Sequence, residues 1–383
     1  MAEGGDRKPE RTRHLLHVMP TFAPGGVQIR VAYLINHMPR IVPQMAHVRH
    51  TIIAMDGDFS CESRLAPDHG VDIRKPPAAE GLPGRIRAYR DEIRRLKPDL
   101  MLTYQWGAIE WALANRFSPL CPQVHLESGF GAEEADRQLA RRVWMRRLAL
   151  GHVRAVVVPS TTLAAIAERD WWVPRDRIRY IPNGVDCEKY ARPPVEGAVP
   201  GFVKQPGEKI VGTLTPLRPE KNLSRLIRAF AAVVADPAVG PARLLILGEG
   251  MERPKLEALA RELGIADRVL LPGHVDRPEE ALGWFDLYAI SSDTEQMPNA
   301  VNQAMAAGKA VAGVDVGDVK VIVSPENKPY VVPKGADEAF AGAIKTLLID
   351  DEARAAIGAA NAAHVRAHYA LKGMVEAYVP IWS

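Results

Sequence analysis

Short apolar runs alternate with amphipathic stretches along most of the chain, and this alternation restricts the possible folds more than any other feature of the sequence. The pattern is typical of parallel β-sheets that are covered by helices on both faces. Strands are predicted at residues 14–19, 51–55, 99–103, 123–127 and 153–158, and again at 209–214, 243–247, 268–271, 287–290 and 310–314. A Pro-rich stretch at 193–206 separates the two sets. With 383 residues, the chain is also too long for one ordinary core. We therefore expect an α/β protein of two doubly wound, Rossmann-like domains.

The domain boundaries follow from the same pattern. We place the N-terminal domain at residues 1–195 and a linker at 196–207. The second domain is expected at 208–366, and an apolar, aromatic closing segment at 367–383 is expected to dock on another part of the protein.

Composition favours a cytoplasmic globular protein. Hydrophobic residues make up 47% of the chain and charged residues 25%, which is ordinary for a globular fold. No apolar run reaches the roughly 18 residues that a membrane-spanning helix needs, and the polar start at 1–13 lacks the apolar centre of a secretory signal. Cys61, Cys121 and Cys187 are odd in number and widely spaced, which argues against a disulfide framework or a zinc site.

Ligands of doubly wound sheets bind beyond the carboxyl ends of the strands, so the loops that follow strands are the candidate binding segments. The loop after the first predicted strand ends with Gly25 and Gly26, before a helix that is expected to begin near Val27. Paired glycines let backbone amides approach an anion closely, and a helix start adds partial positive charge. A tight turn without a ligand is the alternative interpretation.

A second loop, at residues 213–222, contains two cations, Arg218 and Lys221, before an amphipathic helix. The helix dipole disfavours cations in the first turn unless an anion binds there. We therefore favour a diphosphate clamp over a solvated helix start, with Arg acting as a fork and Lys as a point charge.

A third loop leads into a short helix that is expected to begin at Pro298 and to end with Gly308 at its C-terminal cap. Glu295 precedes this helix start, and Gln303 lies on its second turn. A carboxylate at this position would repel a diphosphate, so Glu295 is expected to accept hydrogen bonds from sugar hydroxyls. The alternative is that its charge complements the helix dipole.

Together these motifs resemble those of the retaining glycosyltransferases of family four, which have the GT-B fold, with two Rossmann-like domains facing each other across a cleft. The resemblance extends over nearly the whole chain. It is strongest in the segments 181–186, 218–222, 247–250 and 295–308. It implies a retaining transfer of sugar from a nucleotide-diphosphate sugar to a hydroxyl acceptor in polysaccharide or glycolipid assembly, without a cofactor or a metal.

The resemblance also implies roles for individual residues. Gly25 and Gly26 would lie near the donor phosphates, Lys221 would bind the diphosphate, and Glu295, the first acid of a Glu-x7-Glu motif, would hold the donor sugar. His125 lies near a position where relatives have a histidine facing the reacting sugar, although a structural role is the alternative. The closing segment 367–383 resembles a tail helix that returns to the N-terminal domain. The remaining residues assigned to donor binding are Arg218, Gly250, Gln296, Met297, Pro298, Asn299, Ala300 and Gln303.

Two positions depart from the family pattern. Gln303 replaces the second acid of the motif, which in relatives binds the ribose, and Pro216 stands where many relatives have an arginine. A neutral hydrogen bond contributes ~0.5–1.5 kcal/mol, against ~1.5–3 kcal/mol for a charged one, so we expect weaker donor binding. Arg218 could supply part of the missing charge. A catalytically weak binding subunit therefore stays open. A nucleotide-sugar 2-epimerase, a second enzyme class on the same fold, is the other alternative.

One arginine-rich stretch suggests a further partner. Its arginines alternate with apolar residues in the manner of a basic amphipathic helix on anionic lipid, with a solvated helix as the alternative. The arginines are Arg137, Arg141, Arg142, Arg146 and Arg147. If the helix binds lipid, the acceptor could be lipid-linked as well as a free saccharide, and the protein would lie on the inner face of the cell membrane. Nucleic acid is not expected, because no aromatic stacking platform accompanies the arginines.

Overall fold

The computed structural model describes residues 12–67, 70–130, 132–134 and 137–383, so the polar start of the chain lies mostly outside the described residues. Its strands form two parallel sheets with α-helices between most successive strands. The first sheet has seven strands in the order β3-β2-β1-β4-β5-β6-β7, and the second has six in the order β10-β9-β8-β11-β12-β13. In both sheets the order reverses beside the first strand of the domain, which is the usual ligand-binding point of such sheets.

The first sheet and its helices occupy the N-terminal half of the chain. The strands are β1 (Arg13–Met19), β2 (Val48–Ala54), β3 (Val71–Arg74), β4 (Leu100–Tyr104), β5 (Gln123–Leu126), β6 (Ala155–Val158) and β7 (Ile178–Tyr180). The helices are α1 (Gly26–Ile41), α2 (Gly81–Leu96), α3 (Ile109–Ala114), α4 (Ala140–Leu150), α5 (Thr161–Arg169) and α6 (Cys187–Tyr190).

The second sheet follows in the C-terminal half. Its strands are β8 (Lys209–Leu214), β9 (Ala242–Leu247), β10 (Val269–Gly273), β11 (Leu287–Ile290), β12 (Ala310–Asp315) and β13 (Val331–Pro333). The helices are α7 (Leu223–Val234), α8 (Arg253–Glu262), α9 (Pro278–Ala281), α10 (Asn299–Ala306), α11 (Val319–Ile322), α12 (Asp337–Ile349), α13 (Asp351–His368) and α14 (Leu371–Trp382). Among the described residues, no helix is long and apolar enough to cross a bilayer.

Every predicted strand overlaps a strand of the structure, and three further strands were not predicted. These are β3, β7 and β13, which all lie at sheet edges. Each is only three or four residues long and is flanked by a partner on one side only, so none shows the continuous apolar run of a central strand.

The last helix, α14, packs against the N-terminal domain. Its buried side chains Val375, Tyr378 and Trp382 belong to the same apolar core as residues of α1. The chain reaches this position beside the end of the first domain, where Val185 forms a parallel bridge with Ala370. The two domains are therefore joined by two chain crossings that lie close together.

Candidate functional site

Lys221 and Glu295 form the charged centre of the candidate site. Lys221 follows β8 and Glu295 follows β11, and these strands pair in the second sheet. Because both strands end at the same sheet edge, the two loops meet, and Lys221 Nζ donates a hydrogen bond to Glu295 Oε1 at 2.7 Å. The side chains are 18% and 11% exposed. The two charges are thus close to the cleft but only weakly screened by water.

Polar contacts behind this pair hold the two loops in place. Ser292 Oγ donates to Glu295 Oε1 at 2.7 Å. Asn222, which caps α7, donates through Nδ2 to Asp293 at 3.0 Å, and Arg225 binds the same carboxylate at 2.8 Å. Asp293 is therefore neutralised by Arg225 of α7, which leaves Lys221 as the partner of Glu295.

The start of α10 faces the same space. The helix begins at Asn299 with Pro298 at its N-cap, one residue later than predicted, because Pro298 has an extended backbone conformation. No acidic residue lies in its first turn. A cavity of about 220 Å³ in front of this turn is lined by Lys221 and Glu295, and also by Met297, Pro298, Asn299 and Ala300. Amides of a helix start together with a lysine form a suitable site for an anion.

The glycine loop of the N-terminal domain lies opposite. Gly25 is the N-cap of α1, and Gly26 is the first residue of the helix. A Cβ atom added to Gly26 would lie 3.2 Å from Asn299 Nδ2. The starts of α1 and α10 therefore approach each other across the cleft, and a larger residue at 26 would press on Asn299.

The loops after β8 and β9 are packed backbone to backbone. A Cβ atom added to Gly250 would lie 2.4 Å from the carbonyl oxygen of Leu217, so glycine is needed for this close approach. Pro216 lines the cavity, whereas the exposed Arg218 is not among its lining residues. The cationic charge at the cavity wall thus comes from Lys221, and a role for Arg218 in diphosphate binding stays a prediction.

Gln303 points to a different space. It lines a cavity of about 270 Å³ together with Gly26, Arg30 and Asn299. Tyr190 lines the same cavity, and the pKa of its hydroxyl is raised above its usual value chiefly by burial. Contact between Gln303 and a donor ribose stays a prediction.

A larger cavity of about 610 Å³ adjoins Glu295 on the other side. Glu295 and Gln296 form part of its wall in the second domain, and Trp144 and Arg147 of α4 form part of its wall in the first. Ser160 Oγ donates to Gln296 Oε1 at 3.0 Å across the two domains. Glu295 is thus shared by two cavities, as a residue between a donor and an acceptor site would be.

His125 lies inside the first sheet, away from these cavities. Its side chain is fully buried, and Nδ1 lies 3.0 Å from Thr103 Oγ1. Burial, and then the charge of Arg146, lower the pKa of His125 to about 3. Nε2 has no hydrogen-bond partner within the described part of the chain, and Glu127 Oε2 lies 4.0 Å away. This position agrees with the structural alternative, and a contact with the reacting sugar stays a prediction.

The arginine-rich helix α4 turns part of its charge inward. Arg146 is buried, binds Glu134 at 3.3 Å, and lies 4.9 Å from the ring centre of Trp171. The guanidinium carbon of Arg147 lies 3.7 Å from the ring centre of Trp172. The outer face of α4 is therefore not uniformly basic, because Arg146 is buried and paired with Glu134 and Arg147 lies over Trp172.

Asn183 has no predicted role, although it lies in the motif at residues 181–186. Its Nδ2 donates to the carbonyl oxygen of Met297 at 3.1 Å, while its own carbonyl accepts from Asn302 at 3.0 Å. Arg30 donates to its side-chain oxygen. Asn183 thus links the first domain to the segment just before α10 and to the first turn of α10 itself. Ser292 has no predicted role either, although its hydroxyl stands two residues after the buried strand β11.

Two family models match most of the chain between them. The model described as Glycosyltransferase Family 4 matches residues 24–189, and the model described as Glycosyl transferases group 1 matches residues 200–364.

Curated relatives are similar at low identity. A D-inositol 3-phosphate glycosyltransferase from Nocardia farcinica is 27% identical, over 82% of this chain and 73% of the relative. An N-acetyl-alpha-D-glucosaminyl L-malate synthase from Bacillus anthracis is 26% identical, over 55% of this chain and 54% of the relative. These relatives give no support to the 2-epimerase alternative.

Solved structures share the fold over nearly their full length. Sucrose-phosphate synthase from Thermosynechococcus elongatus superposes with a TM-score of 0.77 at 19% identity, covering 97% of this chain and 98% of the other. Anabaena HepE in complex with UDP gives a TM-score of 0.78 at 18% identity, covering 96% and 99%. The prediction of two Rossmann-like domains in the GT-B arrangement is confirmed.

Proposed function

The chain belongs to the glycosyltransferases of family four, and from this premise we propose that Lys221 and Glu295 hold the nucleotide-diphosphate sugar from which it transfers a sugar with retention of configuration. The observation that supports this most strongly is the Lys221–Glu295 pair, at 2.7 Å, on the wall of a cavity that faces the start of α10. A diphosphate would take Glu295's place on Lys221. Glu295 would then be free to accept hydrogen bonds from sugar hydroxyls.

The proposed mechanism is electrostatic. As the bond between the anomeric carbon and the diphosphate oxygen breaks, negative charge grows on the diphosphate, and Lys221 and the amides at the α10 start stabilise it. The acceptor oxygen bonds to the oxocarbenium-like carbon from the face that the diphosphate leaves, as the family resemblance implies. The acceptor proton passes to the departing diphosphate oxygen. In this scheme Glu295 orients the sugar and does not form a covalent intermediate.

We propose that the larger cavity beside Glu295 receives the acceptor. Glu295 lies on its wall, so an acceptor bound there would be next to a sugar held by this carboxylate. A saccharide, a lipid-linked saccharide and a phosphorylated polyol are the acceptors to compare, the last because the Nocardia farcinica relative is a D-inositol 3-phosphate glycosyltransferase.

The reaction is proposed to need no metal, because Lys221 and the helix amides supply positive charge at the diphosphate. Within the described ranges, no group of three His, Cys, Asp or Glu side chains is placed to hold a metal ion. The test is the transfer rate after chelation with EDTA. Retention of at least half of the activity supports the proposal, and a loss that magnesium restores refutes it.

Transfer itself is tested by incubating the protein with UDP-sugars, each with and without the acceptor panel, and measuring UDP and glycosylated product. UDP-sugars are the first donors to try because the Anabaena HepE structure is a complex with UDP. Product that appears only with donor and acceptor together supports the proposal, and an α-linkage from an α-linked donor supports retention. If neither glycosylated product nor donor hydrolysis is detected across the panel, the protein is a binding subunit. An inverted linkage would refute retention.

A peripheral membrane position is a second proposal, supported by an exposed aromatic surface at α4. Trp144 and Trp172 are both 60% exposed and stack edge to face. Leu148 lies one turn further along α4 and is also exposed, as is Arg141. Exposed tryptophans beside arginines are typical of surfaces that bind anionic lipid.

Sedimentation with vesicles tests this surface. Binding to anionic vesicles at low salt, its loss at high salt, and its loss in Trp144→Ser/Trp172→Ser support the proposal. Val203→Ser is the matched control, because Val203 is an exposed apolar residue near the second domain. Binding that ignores lipid charge, or that the control removes equally, would refute the proposal.

A further inference from the structure

Asp318 of the second domain binds a helix of the first domain. Its side chain is fully buried. The carboxylate accepts hydrogen bonds from the backbone N–H groups of Thr161 at 2.6 Å and Thr162 at 3.0 Å. It also accepts from the two hydroxyls, at 3.0 Å from Thr161 and 2.8 Å from Thr162. These threonines open α5, so one carboxylate satisfies the free amides of a helix start and complements its dipole.

The same residue also contacts the loop that contains Glu295. The backbone N–H of Asp318 donates to the carbonyl oxygen of Gln296 at 2.8 Å. The preceding residue, Gly317, has φ +55, and a Cβ atom added there would lie 2.2 Å from the carbonyl oxygen of Glu295. Asp318 and Gly317 therefore form a backbone support directly beneath Glu295.

The start of α5 reaches this loop by a second route. Ser160, the N-cap of α5, accepts from the N–H of Leu163 at 3.0 Å and donates to Gln296 Oε1 at 3.0 Å. Ser160 is also fully buried. Gln296 is thus bound on its backbone by Asp318 and on its side chain by Ser160, from opposite domains.

We propose that Asp318, Ser160, Thr161, Thr162 and Gln296 form an interdomain clasp that sets the position of the Glu295 loop when the two domains close. This inference rests on the proposed function. Within the described residues, every side-chain hydrogen bond of Asp318 goes to the first domain, so separation of the domains would break all of them together. Bonds to a buried charge are stronger than neutral ones. Closure would therefore be cooperative, and Asp318 would be a positioning residue that acts through Glu295.

The test uses Asp318→Asn in the full chain. Asparagine has nearly the same shape, but it lacks the charge, and its amide nitrogen cannot accept from Thr161 or Thr162. Losing charge-assisted bonds should lower kcat by about tenfold or more. Asp350→Asn is the matched control, because Asp350 caps α13 by accepting from Ala353 N at 2.9 Å within the second domain.

Hydrogen exchange at the amides of Thr161 and Thr162 provides a readout that a merely structural role would not change. In the wild-type protein, saturating UDP should slow this exchange at least about threefold if the donor favours closure. In Asp318→Asn, exchange should be fast and indifferent to UDP. Thr162→Val removes one hydroxyl bond and leaves both amide bonds, so it should give an intermediate result and serves if the asparagine variant does not fold.

The proposal is overturned if kcat falls no more in Asp318→Asn than in Asp350→Asn, or if UDP leaves the wild-type exchange unchanged. Hydrogen exchange can be measured without turnover, so it tests the clasp independently of the proposed transferase function. A wild-type protein that binds UDP and protects α5 without transferring sugar would defeat the proposed function and leave the clasp standing.

Discussion

Replacing Lys221 with alanine should lower kcat at least ~100-fold, and the structure explains the size of this effect. Lys221 Nζ lies 2.7 Å from a carboxylate oxygen in a site that water screens poorly. Two unit charges at this distance attract with ~6 kcal/mol at an effective dielectric constant of ~20, before desolvation is subtracted. Loss of one preorganised group that stabilises transition-state charge typically costs about 2.7–4 kcal/mol, or ~10²–10³ in rate.

The assay is steady-state transfer with donor and acceptor both saturating, so that kcat is measured separately from KM. Lys255→Ala is the matched control. Lys255 also binds a glutamate, Glu252, at 2.7 Å, but it is 65% exposed and does not line the cavity. The control should remain within about twofold of wild type, because exposed ion pairs contribute little.

Three outcomes separate the possible roles of Lys221. A large fall in kcat with little change in donor KM means that the lysine acts mainly in the transition state. A raised KM with kcat unchanged means that it binds ground state and transition state equally well. Turnover within about threefold of wild type would refute the reasoning, since the diphosphate would then not rely on this cation.

Three further predictions concern the surroundings of the site. Gly317→Ala should lower kcat by more than about tenfold by displacing the Glu295 loop. Gly264 has a similar φ of +68 but nothing within 4 Å of an added Cβ atom, so Gly264→Ala should lower the free energy of unfolding by only about 1 kcal/mol, the ordinary cost of a strained alanine. Transfer assays and urea unfolding distinguish the two variants, and equal effects on kcat would contradict the prediction. Gln303→Glu should lower the donor KM about fivefold, because a charged acceptor binds ribose hydroxyls more strongly; an unchanged KM would mean that this side chain does not reach the donor. Between pH 7 and pH 5 the free energy of unfolding should fall by about 2 kcal/mol more in the wild type than in His125→Asn. The pKa of His125 is about 3 in the folded protein and 6.5 in the unfolded chain. As the pH falls from 7 to 5, the unfolded chain therefore binds a proton at His125 that the folded protein does not bind, so stability is lost. Parallel slopes for the two proteins in urea titrations would contradict this.

The central strands could be predicted from the sequence because they are continuous apolar runs buried on both faces. β8 and β11 have the predicted bounds for this reason. The edge strands β3, β7 and β13 were missed because their short, mixed sequences gain strand conformation from a single neighbour. Their existence depends on tertiary pairing, which local periodicity does not report.

The candidate site could be located in part. Lys221 and Glu295 were found because both follow buried parallel strands, although their direct ion pair was not foreseen. The burial of Arg146 and the clasp at Asp318 could not be found in this way. Arg146 is buried against Glu134 and Trp171, and Asp318 binds Thr161 of the other domain. These contacts join segments that only the folded chain brings together.

A crystal structure of the protein with UDP-glucose tests the central claim most directly. The account predicts that the Lys221–Glu295 hydrogen bond is broken, that a diphosphate oxygen lies within about 3 Å of Lys221 Nζ, and that glucose hydroxyls contact Glu295. A nucleotide sugar bound elsewhere, with Lys221 still paired to Glu295, would contradict it.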